Sequence, residues 1–134
     1  MMLRAILVTA MLLAPLGAPL QARSPNDVAE VREGLLAAAV GDVIRRQCET
    51  IVPRVIRVYN LRNQLLAAAQ AAGFSEDEID AFVDDPIAKE NLKAEAAAYL
   101  SARGADPQNA SSYCAVGTAE IADDTSVGRL LRAR

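Results

Sequence analysis

Cys48, in "IRRQCETIVPRV", and Cys114, in "SSYCAVGTAEI", are the two cysteines of this 134-residue chain. Such a pair could be a redox couple, a pair of metal ligands, two buried thiols or a disulfide. No C-x-x-C spacing is present for thiol exchange. With no histidine anywhere, two cysteines leave a tetrahedral zinc shell half filled. Both residues fall at helical spacing among apolar neighbours: Ile44, Cys48, Ile51 and Val55 on one stripe, Ala110, Cys114 and Ile121 on the other. A bond between them would close a loop of about 67 residues, worth ~4 kcal/mol by the chain-entropy argument. Free buried thiols are the competing reading, and the compartment bears on the choice.

That compartment is written at the N-terminus. "MMLRAILVTAMLLAPLGAPLQARSP" has a basic residue, Arg4, then an uncharged apolar core of 12 residues from Ala5 to Leu16. A small-residue, proline-containing stretch follows. This is the layout of a secretory signal, with a core too short to span a bilayer. Residues 1–22 are therefore expected to be removed after Ala22, leaving residues 23–134 as one helical domain in the periplasm. An oxidising compartment favours the Cys48–Cys114 disulfide. Without Arg4 the mature chain has 13 basic and 17 acidic residues, net −4. Net negative charge argues against general nucleic-acid binding, which requires a cationic surface to displace phosphate counterions. No later apolar run reaches the ~20 residues a membrane span needs.

The charge is segregated. Residues 45–62 contain Arg45, Arg46, Arg54, Arg57 and Arg62 against a single acid, Glu49, net +4. Residues 76–95 contain eight acids and two lysines, net −6. Guanidinium forks suit carboxylates or phosphates on a partner, so the five arginines are a candidate docking face. The alternative is that they are solvated helix faces partly paired with the acidic segment. That segment (Glu76, Asp77, Glu78, Asp80, Asp84, Asp85) lacks the ligand spacing and glycine of a calcium loop. Acids in a first helical turn are already explained by its unpaired amides.

Catalytic constellations are lacking. There is no histidine to act as base, no G-x-S-x-G and no phosphate-cradling glycine loop. Two Phe, three Tyr and no Trp offer little sugar-stacking surface beside a carboxylate pair. No cofactor and no metal is implied.

The elements that must position these residues are helices. Ala, Leu, Glu and Arg dominate, and strand-favouring residues are few. A first helix is expected from Val28 to Cys48, with Gly34 and Gly41 as weak points. Pro53 enforces a break near Glu49–Val52. A second helix runs to Ala72 with Val58, Leu61, Leu65, Ala68 and Ala72 inward, stopped at Gly73-Phe74. Ser75 and Glu78 form a capping box for a short third helix. Asp85-Pro86 starts a fourth, with Ala88, Leu92, Ala96, Tyr99 and Leu100 inward, ending at Gly104. Asp106-Pro107 starts a fifth through Cys114 to Ile121, and Ser126 onward is expected to form a terminal turn or short helix. The expected fold is an all-α single domain of five or six helices with one disulfide.

"GDVIRRQCETI", "AAGFSEDEIDAFV", "AEAAAYLSARGAD", "SYCAVGTAEIA" and "SVGRLLR", in this order, resemble a family of small secreted alphaproteobacterial proteins of unknown function. The resemblance covers residues 35–132. It implies no enzymatic activity and no catalytic residues. Members are sometimes catalogued beside subunits of the proton-pumping NADH dehydrogenase, which implies a membrane respiratory complex as a partner. The expected function is a non-catalytic protein-interaction or accessory subunit. A periplasmic stress or holding chaperone is the alternative, and a small-ligand or metal-binding module a third.

Overall fold

The computed structural model describes residues 23–134; the expected signal sequence and its expected cleavage after Ala22 lie outside the described residues. Five α-helices follow one another: α1 (Ala29–Gln47), α2 (Val55–Ala71), α3 (Glu76–Asp84), α4 (Pro86–Ala102) and α5 (Ala110–Ala122). The all-α expectation holds, and the Cys48–Cys114 disulfide is formed, with the two Cα atoms 5.2 Å apart.

Central to the fold is α1, which packs against α2, α4 and α5. Its buried residues Val40 and Ile44 meet Ala96 and Leu100 of α4 and Tyr113 and Val116 of α5 in the main core. Val31, near its start, joins Ala69, Phe74 and Ile79 in a smaller cluster under the α2–α3 corner. Helix α1 runs unbroken through Gly34, which allows α2 to approach closely, since a Cβ there would collide with the Leu65 side chain. Because α2 runs back along α1, its first turns lie beside the end of α1 and its last turns beside the start.

The helix stops follow the expected chemistry. Gly73 and Gly104 adopt positive φ of 96° and 93°, and the following amides, Phe74 and Ala105, bond back to Ala69 and Leu100 carbonyls at 3.1 and 3.0 Å. Ser75 and Glu78 close their capping box, and the Asp85 carboxylate accepts from the Ile87 amide at 3.0 Å.

Three expectations are corrected. Helix α5 starts at Ala110 rather than at Asp106-Pro107. The Asp106 carboxylate does accept from the Gln108 amide at 2.9 Å, as a cap would, but Asn109 is extended and the chain turns once before the helix begins. The C-terminus is a single 3-10 turn, Gly128–Leu130, followed by a strand, β2 (Leu131–Ala133). It pairs antiparallel with β1 (Ile51–Pro53), the segment at the expected break, in the register Ile51↔Ala133, Val52↔Arg132 and Pro53↔Leu131. Finally, the stripe from Ile44 to Val55 does not continue as a helix. The chain turns extended at Cys48, so Cys48 and Ile51 stay buried while Val55 is 71% exposed.

Candidate functional site

The β1–β2 pairing lays Leu130 and Leu131 under the junction between the end of α1 and the start of α2. Above them lies a groove of about 480 Å³. Ala38, Gly41 and Arg45 form one wall, Val55, Val58, Tyr59 and Arg62 the other. Two features set this region apart. Val55, Ile56 and Tyr59 present 71%, 77% and 60% of their surface to solvent, within two turns of one helix. Among them stand the arginines.

The five arginines divide by what holds them. Arg45 and Arg46 both reach Asp42, one on each carboxylate oxygen at 2.5 Å, and both remain exposed. Half-buried Arg54 donates its Nε to the Leu131 carbonyl at 2.9 Å, while its amide donates to the Leu130 carbonyl at 2.8 Å. Arg57 donates to the Arg129 carbonyl at 3.2 Å. These two clamp the C-terminal segment. Arg62 has no ion pair or hydrogen bond among the described residues. None of the five reaches the acidic segment. The strand pairing also brings Arg129, Arg132 and Arg134 to this end, residues whose distance in sequence concealed them.

A second polar arrangement was not anticipated: Glu120 of α5 is buried at 4% exposure. Tyr99 of α4 donates its hydroxyl to both Glu120 carboxylate oxygens at 3.0 Å, and Arg103 Nε meets Oε1 at 2.9 Å. The Thr125 hydroxyl donates to the same carboxylate and accepts from the Gly128 amide at 3.0 Å. Gly128 is required here, because a Cβ would fall on the Glu120 carbonyl. The Arg103 guanidinium also lies over the Tyr99 ring, 3.4 Å from its centroid. Burial first, and the Glu120 carboxylate second, raise the Tyr99 hydroxyl above its ordinary value of 10.0, against the lowering by Arg103. No side-chain polar atom buried among the described residues lacks a partner. The cluster ties α4, α5 and the C-terminal turn together. A lone glutamate within the apolar run "CAVGTAEIA" was its only signal in the sequence.

Among the described residues, no group of three or more His, Cys, Asp or Glu side chains is placed to hold a metal ion, and no helix is long and apolar enough to cross a membrane.

The chain belongs to a family of unknown function, DUF5333, which matches residues 24–132. No curated protein and no solved structure matches the chain.

Proposed function

We propose that this protein is a secreted, non-catalytic protein-binding module of the periplasm, and that it docks through the groove between α1 and α2. One observation carries the reading: Val55 and Tyr59 are held exposed in the groove wall with Arg62, Ile56 is exposed between them in sequence, and the Arg62 side chain has no partner within the described part of the chain. Water-facing aliphatics are unfavourable unless something covers them, and a patch rimmed with charge is the usual form of an interaction site. The disulfide fits an oxidising, secreted location. The complementary surface is apolar with carboxylates around it, because arginine forks bind carboxylates in pairs of hydrogen bonds.

Arg45 and Arg62 form the cationic rim of the docking face, with Arg46 outside it and Arg57 turned to the opposite side of α2, on the Arg129 carbonyl. Arg54 supports it from below by fixing the C-terminal strand. The family resemblance nominates a periplasm-facing subunit of the proton-pumping NADH dehydrogenase as one partner to test. Native pull-down from periplasmic and membrane fractions, with wild type and with Ile56→Asp/Arg62→Glu, tests the reading. A stoichiometric partner, captured less at high salt and lost in the variant, supports docking. Equal capture by both proteins refutes it. A holding chaperone differs in its signature: it suppresses aggregation of many unfolded clients and forms no fixed complex.

A further inference from the structure

The chain itself carries a surface of the kind the groove accepts, at its other end. Where α3 meets α4, Val83 and Ile87 are 55% and 70% exposed. They rim a second cleft, of about 380 Å³, with Phe82, Leu92 and Leu35 in its walls. Asp85 and Glu95 line it together with one cation, Lys89, and the exposed Asp84 follows Val83 in the chain, within a stretch of net −6. The cleft also touches Ser24 and Asn26, before the start of α1, whereas the groove touches Asp42 and Arg45 near its end. The cleft thus meets α1 in its first half, up to Leu35, and the groove meets it in its second half, from Ala38 to Arg45. The basic stretch of residues 45–62, net +4, belongs to one end and the acidic stretch of residues 76–95, net −6, to the other. The β1–β2 pairing adds Arg129, Arg132 and Arg134 to the basic end. Among the described residues no ion pair joins these opposite charges. Among the described residues, the one ion pair of the acidic stretch is Lys93–Glu90, at 4.0 Å.

Resting on the docking reading of the groove, we propose that its occupant is the α3–α4 end of a second copy, so that the protein associates head to tail. Val83 and Ile87 of one copy cover Val55, Ile56 and Tyr59 of the next, while the carboxylates beside them face Arg45 and Arg62. Because the two surfaces differ, the contact is heterologous and adds copies in a row rather than closing a symmetric pair. Each patch is small, so association is weak, reversible and sensitive to salt.

The test is sedimentation velocity of the mature protein over a concentration series, at ~0.02 M and ~0.5 M salt, where the screening length differs several-fold. The expected result is a mass average that rises with concentration at low salt and falls back toward the monomer at high salt. Ile56→Asp/Arg62→Glu disables the groove, and Asp84→Lys/Ile87→Lys disables the acidic end. All four positions are exposed, and unchanged helicity by circular dichroism verifies each fold. Each variant alone should remain monomeric. Their equimolar mixture should associate, because the intact acidic end of the first fits the intact groove of the second. Three outcomes overturn the proposal: a wild type monomeric at every concentration, association that persists in either variant alone, or a mixture that stays monomeric. A monomeric wild type that floats with vesicles of anionic lipid, and loses this in the groove variant, also overturns it and makes a membrane the occupant. A monomeric wild type whose groove variant still loses a captured protein partner ends self-association alone and leaves the docking reading standing.

Discussion

The cluster around Glu120 and the groove between α1 and α2 are built from the same residue types and end in opposite states. In the cluster, a carboxylate, a guanidinium, a phenol and a threonine hydroxyl satisfy one another around a buried centre. In the groove, Arg45 is held by Asp42, but Arg62 stands beside exposed Val55 and Tyr59 with no side-chain partner among the described residues. The first arrangement consumes its polar capacity in holding helices together. The second keeps it available for another surface. Charge alone does not identify a functional site; what separates the two regions is whether the charge is already answered.

The largest effect is expected where the two regions are joined. The Cys48–Cys114 bond ties the end of α1, which leads into the strand beneath the groove, to α5, which carries Glu120. Replacing both cysteines with alanine should lower stability by ~4 kcal/mol, read from denaturant unfolding under non-reducing conditions. A loss below about 1 kcal/mol would mean that packing alone holds these elements. Glu120→Gln comes next, at about 2 kcal/mol, because it leaves Arg103 without its carboxylate and weakens two hydroxyl bonds. It should leave binding at the groove unchanged for the folded fraction.

How much of this was legible beforehand depends on the range over which each feature acts. Capping boxes and glycine stops are decided within a few residues, so Ser75–Glu78 and Gly73-Phe74 read correctly; of the two Asp-Pro pairs, Asp85-Pro86 starts a helix and Asp106-Pro107 makes only a turn before Ala110. The strand pair is decided between residues 51–53 and 131–133, and neither segment alone carries more than a hint of extended structure. Missing it also hid why Val55 turns outward and what Arg54 does. From the sequence, Arg54 and Arg62 are equivalent members of one basic stretch. In the fold, one is a clamp on Leu131 and the other stands open at the groove.

Arg54→Ala tests that division. It should cost about 1 kcal/mol, since a partly exposed charged donor to one carbonyl is lost, and should speed amide exchange in residues 131–133. A smaller effect is set by pH. The folded Tyr99 hydroxyl is raised above its unfolded value, so its contribution is complete below pH 10.0 and is lost as pH rises through the folded value. Stability should therefore decline on the alkaline side, and Tyr99→Phe should remove that part of the decline. An identical alkaline profile in the two proteins would show that Tyr99 titrates as freely in the folded chain as in the unfolded one.

Ile56→Asp/Arg62→Glu should change stability least, within about 0.5 kcal/mol, because both side chains are exposed. It should change binding most. The direct test is quantitative capture of the partner from the same periplasmic and membrane extracts by wild type, Ile56→Asp/Arg62→Glu and Glu120→Gln, normalised to folded protein. The predicted result is near-complete loss of capture with the groove variant and wild-type capture with Glu120→Gln, despite their reversed order in stability. Undiminished capture by the well-folded groove variant would contradict the assignment of function to this face.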